Sequence, residues 1–367
     1  MYYILVMNLS CGFVGLPNVG KSTIFNALSK KNIPAENYPF CTIDPNSAII
    51  EVPDENLVSL AKIYSPNKTI FSTVEFVDIA GLVKNAHSGE GLGNQFLSHI
   101  RSVKVIVQVV RFFDDNNITH VENRVSPIDD IEIINMELIF ADIKTLEKAI
   151  EKNEKNVRAN SKEALEARSV FSEALNHLNE GKPARTIPLN SKEKEILDRL
   201  FLISSKPIIY VANVGESLPS PALLDPVKAA IEKERSSLIM INGKLEAEII
   251  DFSDEEKKEV LESFGYEESG LNLLIKNAYN LLGLQNFYTC GQEEVRSWTI
   301  KRGASAVEAA GEIHTDFSTK FIKAEIFHYD DVIKHGKDQL KPLGLIKLVG
   351  KEYLMQEGDI AYFLKGQ

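Results

Sequence analysis

Eight consecutive residues near the N-terminus have the spacing of a phosphate-binding loop. Residues 15–22 have the sequence GLPNVGKS and match G-x-x-x-x-G-K-[ST] at every fixed position. In such a loop the glycines let backbone N–H groups turn toward a phosphate chain, while Lys21 reaches the outer phosphates and the Ser22 hydroxyl ligates Mg²⁺. A glycine-rich turn without a ligand is the alternative, but residues 9–14 favour a short buried strand and residues 24–28 favour a helix. This strand–loop–helix order predicts binding of a nucleoside triphosphate.

A carboxylate near the metal is the second requirement of triphosphate chemistry, and Asp78 meets it. Residues 74–78 (VEFVD) predict a strand that ends in this carboxylate, and Gly81 completes a D-x-x-G pattern. Asp78 is therefore expected to hold Mg²⁺ through water, and the Gly81 N–H to reach the γ-phosphate. Thr42, in the intervening segment 39–42 (PFCT), is predicted to close over the same metal, although a lone threonine is usually an ordinary surface residue.

The residue that usually orients the attacking water in such proteins is replaced in this chain. Leu82 follows the D-x-x-G pattern, where GTPases of the Ras type carry a glutamine that orients the attacking water. Leucine cannot hydrogen-bond a water, so catalysis must rely on another residue, be slow, or need a partner. His120, in a polar segment after the predicted strand 103–110, is the candidate because an imidazole can hold or deprotonate a water near neutral pH. Without other information, a histidine in such a segment is more often a loop residue that has no catalytic role.

The base-recognition segment departs from the guanine-specific pattern. Residues 213–216 follow a predicted strand and have the sequence NVGE, where GTPases use N-K-x-D. Val214 lacks the aliphatic stem that packs on the base, and Glu216 is one methylene longer than the aspartate that binds guanine. The loss of such matched polar contacts should lower the binding preference for guanine by several kcal/mol. Asn213 Oδ1 is expected to accept a hydrogen from adenine N6, so the segment predicts ATP rather than GTP.

Several short segments together resemble the YchF/Obg-like ATPase family, which are TRAFAC-class P-loop NTPases with a TGS domain. They are GLPNVGKS at 15–22, FCT at 40–42, DIAGLVK at 78–84, GEGLGNQF at 89–96, NVGE at 213–216, EVRSWT at 294–299, AAGEIHTDF at 309–317 and GD at 358–359. The resemblance covers nearly the whole chain. It implies an ATPase that contacts the ribosome, in which a hydrophobic residue replaces the catalytic glutamine.

The resemblance also implies a role for each matched residue. Asn18, Val19, Gly20, Lys21, Ser22 and Thr23 would line the phosphates, Ser22 and Thr42 would ligate Mg²⁺, Val214 would contact the base, and His120 becomes the favoured catalytic residue. The chain departs from the family at Asn242-Gly243, where Ser-Ala or Cys-Ala is usual, and at Lys84-Asn85, where Lys-Gly is usual. Residues 1–6 extend beyond the usual start, which leaves Met7 as an alternative initiator.

The composition is that of an ordinary globular protein. A chain of 367 residues with 44% hydrophobic and 25% charged residues predicts two or three domains with normal cores. Residues 1–7 are apolar but too short to cross a membrane, and they lack a basic n-region, so neither a membrane segment nor a secretory signal is expected. The three cysteines, at positions 11, 41 and 290, have no metal-ligand spacing and favour a reducing, cytoplasmic location.

The charge is unevenly distributed along the chain. The net charge of −11 argues against indiscriminate RNA binding. The part from residue 284 onward has eleven basic and twelve acidic residues, so it is nearly neutral. A local basic face there would comprise Arg296, Lys301, Arg302, Lys320 and Lys323. An ordinary mixed surface is an equally good interpretation.

Strand and helix signals divide the chain into three regions. Residues 1–135 and 204–283 alternate predicted strands and helices, which indicates an α/β P-loop nucleotide-binding (G-type) domain with a mostly parallel sheet. Residues 136–203 contain a heptad seam at positions 139, 143, 146, 150, 153 and 157, which predicts an inserted antiparallel coiled-coil helical arm rather than helices packed flat. Residues 284–367 predict short strands around one helix, a β-grasp-like module that the resemblance equates with the TGS domain, with a hairpin turn at 357–358.

Two functional interpretations follow. In the first, the chain is a monomeric, ATP-hydrolysing switch whose arm and C-terminal module dock on the ribosome, through the large subunit or the whole particle and with rRNA contacts. In the second, it is a nucleotide-gated scaffold or RNA-binding protein whose hydrolysis is incidental, as the leucine after D-x-x-G suggests.

Overall fold

The computed structural model describes residues 10–31, 46–79, 92–114, 125–158 and 161–366. The chain divides into two compact units. The larger unit comprises Met1–Ala48 and Glu75–Leu274, and the smaller comprises Ile49–Val74 and Ile275–Gln367.

Strands and helices alternate through most of the described chain. The strands are β1 (Ser10–Val14), β2 (Ser47–Glu51), β3 (Lys68–Ile70), β4 (Thr73–Asp78), β5 (Val105–Arg111), β6 (Ile208–Asn213), β7 (Ser237–Ile241), β8 (Leu284–Cys290), β9 (Glu294–Lys301), β10 (Phe321–His328), β11 (Lys347–Val349) and β12 (Asp359–Lys365). The α-helices are α1 (Lys21–Lys30), α2 (Glu55–Tyr64), α3 (Leu92–Ser102), α4 (Pro127–Arg158), α5 (Lys162–Asn179), α6 (Ser191–Asp198), α7 (Pro221–Lys233), α8 (Gly243–Glu248), α9 (Asp254–Ser263), α10 (Gly270–Leu281), α11 (Ala306–Ile313), α12 (Thr315–Thr319) and α13 (Tyr329–His335). None of the helices in the described ranges is long and apolar enough to cross a membrane.

The first sheet has the strand order β2-β4-β1-β5-β6-β7. β1 pairs in parallel with β4 and β5, and β6 continues the parallel pairing from β5 to β7. Every residue of β5 and β6 is buried, as expected for strands of a parallel sheet that is covered on both faces. Parallel strands bring their carboxyl ends to one edge, where ligands of such sheets bind. The predicted α/β class with a mostly parallel sheet is confirmed.

An antiparallel pair of helices, α4 and α5, is inserted between β5 and β6. The Asn153 side chain of α4 donates a hydrogen bond to the Ala164 carbonyl of α5 at 2.8 Å, and Ile139 of the predicted seam is fully buried between the helices. The first turns of α4 instead pack Ile131 and Leu138 into the core of the sheet. The predicted antiparallel arm is confirmed, and its root is part of the nucleotide-binding unit's core.

The second sheet has the strand order β11-β10-β12-β8-β9-β3. β10 pairs antiparallel with β11 and β12, β8 pairs antiparallel with β9, and β12 and β8 are parallel. The helix α11 contributes Ala309 to an apolar cluster that also contains Phe287 of β8. A turn is present at 357–358, but the predicted hairpin there is wrong, because β10 lies between β11 and β12 in the sheet.

Residues 49–74 belong to the smaller unit, although the predicted boundaries placed them in the nucleotide-binding domain. β3 pairs in parallel with β9. Asp54 accepts the Leu57 N–H at 2.9 Å, which caps α2, and also accepts the Tyr288 hydroxyl and the Asn286 amide at 3.0 and 3.2 Å. Burial and the nearby Asp54 carboxylate raise the pKa of Tyr288, which keeps this phenol protonated as a donor. These long-range hydrogen bonds attach the segment to the second sheet.

Candidate nucleotide site

The loop between β1 and α1 requires glycine at two positions. Gly15 and Gly20 have φ values of +145° and +96°, a backbone region that L side chains rarely occupy. A Cβ atom at Gly15 would lie 2.4 Å from the Val109 carbonyl oxygen, and one at Gly20 would lie 2.0 Å from Asn213 Nδ2. The loop therefore lies close against β5 and β6, and only glycine, which has no side chain, fits at these two positions.

The Lys21 ammonium lies over the loop that precedes it. Its Nζ atom donates to the Gly15 carbonyl at 2.9 Å and to the Leu16 carbonyl at 2.5 Å. The residue is only 8% exposed, so most of it is shielded from solvent. Ser22 is exposed at the N-terminus of α1, where helix N–H groups and the helix dipole favour an anion. The arrangement can hold a phosphate chain between an ammonium, backbone N–H groups and a hydroxyl.

An open cavity joins the phosphate loop to the ends of β5 and β6. It brings together most of the predicted phosphate and base residues with three aromatic side chains. Its lining includes Asn18, Gly20, Lys21, Ser22, Thr23, Phe96, Phe112, Phe113, Asn213, Val214, Glu216, Asn242 and Lys244. Val19 is the exception among the predicted loop residues, because its side chain is fully buried in the core and only its backbone is available.

Asp78 ends β4 at the same edge of the sheet as the phosphate loop. It is the register partner of Phe13 in the parallel pairing of β4 with β1, and it is only 6% exposed. Its N–H donates to the Asn46 carbonyl at 2.8 Å. Carboxylate and hydroxyl oxygens are the ligands that Mg²⁺ takes in proteins. Asp78 and Ser22 therefore fit a magnesium site at this edge by chemistry and by strand register.

Asn213 holds the phosphate loop rather than presenting a free amide to the cavity. Its Nδ2 donates to the Val19 carbonyl at 2.9 Å, and its Oδ1 accepts the Gly243 N–H at 3.2 Å. The side chain is 5% exposed. Oδ1 thus already accepts one hydrogen bond from the backbone of α8. An amide oxygen has a second lone pair, and the acceptance of a hydrogen from adenine N6 stays a prediction.

The rest of the base segment is divided between the core and the solvent. The Val214 side chain is 3% exposed and joins the apolar cluster of the sheet, while its N–H donates to the Ile241 carbonyl. The Glu216 carboxylate is 81% exposed and lies 3.9 Å from the Lys244 ammonium. Asn242 Nδ2 donates to the Gly215 carbonyl at 3.0 Å. These contacts tie residues 213–216 to the segment after β7.

Four residues of the predicted metal, γ-phosphate and water-activation sites lie outside the described residues. They are Thr42, Gly81, Leu82 and His120. Their roles in metal binding, γ-phosphate contact and water activation stay predictions.

The aromatic wall of the cavity was missed by the sequence analysis. Arg111 donates through Nε to the Phe113 carbonyl at 3.0 Å, and its guanidinium carbon lies 4.6 Å from the centroid of the Phe113 ring. This buried arginine fixes the turn that brings Phe112 and Phe113 to the cavity. The position of these aromatics directly after a buried parallel strand was the available signal, since residues at such strand ends meet at the ligand-binding edge.

A parallel sheet with this loop after β1 and a carboxylate at the end of β4 defines a P-loop nucleoside-triphosphatase. Family comparison gives the same class: residues 10–141 match the family MMR_HSR1, described as 50S ribosome-binding GTPase. Residues 284–365 match YchF-GTPase_C, described as a protein of unknown function (DUF933).

Full-length relatives define the family more narrowly. A Bacillus subtilis (strain 168) protein named ribosome-binding ATPase YchF is 47% identical over 362 residues, which cover 97% of this chain and 99% of the relative. The Escherichia coli O157:H7 protein of the same name is 45% identical over 360 residues, with coverages of 98% and 99%. The structure of the Schizosaccharomyces pombe YchF GTPase aligns with a TM-score of 0.88 and 39% identity, over 97% of this chain and 98% of that one. The chain belongs to the YchF family.

Proposed function

We propose that the chain is an ATP-binding and ATP-hydrolysing switch protein that associates with the ribosome. The observation that carries the proposal is the phosphate loop, in which Gly15 and Gly20 expose the backbone and Lys21 is held over it. The relatives from Bacillus subtilis and Escherichia coli are named ribosome-binding ATPases, which supports both the reaction and the partner.

Phosphate and metal binding are proposed for the phosphate loop and for residues that follow it in the chain. Asn18, Val19, Gly20, Lys21, Ser22 and Thr23 would surround the phosphates, and Ser22, Thr42 and Asp78 would hold Mg²⁺. When bound, Mg²⁺ neutralises charge on the β- and γ-phosphate oxygens. The Gly81 N–H would contact the γ-phosphate. Lys21 would stabilise the charge that develops there, and His120 would hold the attacking water.

ATP is proposed as the preferred nucleotide because the base side lacks a guanine reader. Val214 places a buried apolar side chain where a lysine stem would pack on the base. The Glu216 carboxylate is solvent-exposed beside Lys244, and the Gly243 N–H is already bonded to Asn213. A site without matched donors and acceptors for guanine loses the main source of its selectivity. Asn213, Val214 and Glu216 remain the proposed base-side residues, with Asn213 acting mainly through the phosphate loop.

The docking elements are proposed to be the helical arm, residues 136–203, and the TGS-like module that contains residues 284–367. Of the five basic residues predicted for the module, Arg302 is tied to the Leu284 carbonyl and the Asn280 side chain, and Arg296 stacks on the Trp298 ring at 3.8 Å. Lys301 and Lys320 are exposed and are the better candidates for rRNA phosphates. We propose a cytoplasmic monomer that binds the ribosome through such contacts.

The proposed function is tested by measuring hydrolysis and association together. Single-turnover ATP hydrolysis is measured with and without ribosomes, and co-sedimentation is measured over a range of salt concentrations. We expect ribosomes to accelerate hydrolysis, and binding to fall steeply with salt because each neutralised phosphate releases counterions. Lys301→Glu/Lys320→Glu should weaken co-sedimentation about tenfold or more, whereas the control Lys233→Glu/Lys258→Glu, with the same charge change in the larger unit, should not.

The outcomes separate the two interpretations of the sequence. Negligible hydrolysis with ATP-dependent ribosome binding would favour the scaffold. Absence of the chain from the ribosomal pellet at low salt would contradict the proposed partner. Equal sedimentation of the Lys301/Lys320 variant and the parent would transfer the docking role to the helical arm.

A further inference from the structure

The C-terminal end of α3 is held by a lysine from a distant part of the chain. Lys206 Nζ donates to the Arg101 carbonyl at 2.8 Å and also to the Val103 carbonyl. The last carbonyls of a helix have no partner within the helix, and the helix dipole favours a cation at this end. Lys206 therefore supplies both the hydrogen bonds and the charge that the end of α3 needs.

The same helix reaches the nucleotide cavity. Phe96 of α3 lines the cavity together with the phosphate loop. Arg101 lies five residues further along, which is about 7.5 Å along the helix axis. Ile100 between them is fully buried in the core of the sheet. Because α3 is a single stiff element, the position of its C-terminal end sets where Phe96 stands in the cavity.

The root of the helical arm holds the turn that carries Lys206. Asp142 of α4 accepts the Ile203 N–H at 2.8 Å through Oδ1 and the Ser204 N–H at 2.7 Å through Oδ2, and it is fully buried. Arg101 also donates directly to the Thr145 hydroxyl of α4 at 3.3 Å. A small group of hydrogen bonds thus connects a cavity-lining helix to the inserted arm.

We propose that Lys206 is a positioning residue for ATP hydrolysis, whose ammonium holds the end of α3 against the root of the helical arm and thereby fixes Phe96 in the nucleotide cavity. The inference rests on the ATPase activity proposed above. Lys206 lies two residues before β6, away from the carboxyl edge of the sheet, so it acts through α3 and touches neither nucleotide nor metal ligand.

The electrostatic surroundings of Lys206 supply a signature for this role. Burial, together with the positive charges of Lys104 and Arg101, lowers the pKa of Lys206 to about 8, and the Asp142 carboxylate partly opposes the change. Well below this pH the amine is protonated and carries its positive charge. Above it the neutral amine makes weaker hydrogen bonds, because bonds from an ionised donor are roughly twice as strong. Hydrolysis should therefore decline as the pH rises through the pKa of Lys206.

The test compares two substitutions at this position. Single-turnover ATP hydrolysis of the full chain is measured from about pH 6.5 to about pH 9.5. Lys206→Met keeps the aliphatic stem but should slow hydrolysis about tenfold near neutral pH and abolish the decline near pH 8. Lys206→Arg should stay within about twofold of the parent near neutral pH, and its decline should move out of the range because arginine does not deprotonate there. ATP affinity should change less than about twofold in both, since neither touches the nucleotide.

Lys104→Met provides the matched control. It removes an exposed cation close to Lys206 and leaves the two bonds to α3 in place. It should hydrolyse ATP at about the parent rate near neutral pH. The pH at which its hydrolysis rate declines should be higher than in the parent, because a neighbouring positive charge that lowers the pKa of Lys206 has been removed.

Hydrogen exchange of the α3 amides gives a readout that does not depend on hydrolysis. Loss of the cap in Lys206→Met should raise exchange in the last turn of α3, and Lys206→Arg should not. Unchanged exchange in Lys206→Met, or a decline near pH 8 that persists in Lys206→Arg, would overturn the proposal. A parent protein that hydrolyses no ATP would contradict the proposed function instead, while the exchange data would still decide whether Lys206 holds α3.

Discussion

The phosphate side and the base side of the cavity are built in different ways. The phosphate side comes from one continuous segment, residues 15–23, whose glycines and lysine define its shape. The base side is assembled from the ends of β5, β6 and β7, three segments that are far apart in the chain. The phosphate side depends on backbone conformation, whereas the base side depends on hydrogen bonds and packing between side chains of different segments. We therefore expect substitutions to have larger and less selective effects on the phosphate side.

Asn213 is the contact that connects the two sides. Its amide bonds the Val19 carbonyl of the phosphate loop and the Gly243 N–H of α8. A base-side residue thus sets the shape of the phosphate side, which is why its substitution should affect every nucleotide rather than one base.

The largest expected effect is that of Gly20→Ala on nucleotide binding. The new Cβ would lie 2.0 Å from Asn213 Nδ2, at a residue with φ +96°, and such backbone strain alone costs about 1–3 kcal/mol. Titration calorimetry should show a loss of affinity of about 100-fold for ATP and GTP alike.

Two control substitutions isolate the cause of that loss. Gly265→Ala has a similar φ of +81° but no atom within 4 Å of its Cβ, and Gly215→Ala makes only a 3.5 Å contact with Phe113 Cβ. Both should bind ATP within about threefold of the parent. An alanine at Gly20 that binds ATP like the parent would break the distinction between the two sides of the cavity.

A smaller effect is expected for Asn213→Ala. The substitution removes the donor to Val19 and the acceptor of Gly243, and unsatisfied buried polar groups cost about 1–3 kcal/mol. Affinity for ATP and for GTP should fall together by about tenfold, and chemical denaturation should show a lower free energy of unfolding. Asn213→Asp keeps an acceptor for the Gly243 N–H but places a buried negative charge against the Val19 carbonyl, so it should lower affinity at least as much as Asn213→Ala. A change confined to ATP would mean that Asn213 reads the base after all.

The smallest effects are expected for the exposed part of the base side. The parent should bind ATP about tenfold or more tightly than GTP, since matched polar contacts to guanine are missing. Glu216→Ala should leave ATP affinity within about twofold, because its pair with Lys244 is solvent-exposed and contributes little. Equal or reversed affinities for the two nucleotides in calorimetric titrations would remove the proposed preference.

The sequence by itself determined the parts of this protein that depend on neighbouring residues. The loop at residues 15–22, the carboxylate at the end of β4, the alternating strands and helices and the apolar seam of the arm are all local patterns, and the structure has a parallel sheet, an antiparallel helical pair and a phosphate loop at those places. Short-range sterics and hydrophobic periodicity dictate such elements before any tertiary contact forms.

Tertiary structure alone decided which distant segments share a contact. Asn213 and Val19 are 194 residues apart, Asp54 and Tyr288 are 234 apart, and Lys206 and Arg101 are 105 apart. No spacing rule in the chain links such pairs, because each depends on how sheets and helices pack after they form. For that reason the task of Asn213, the attachment of residues 49–74 to the second sheet and the lysine that holds α3 could be found only in the folded molecule.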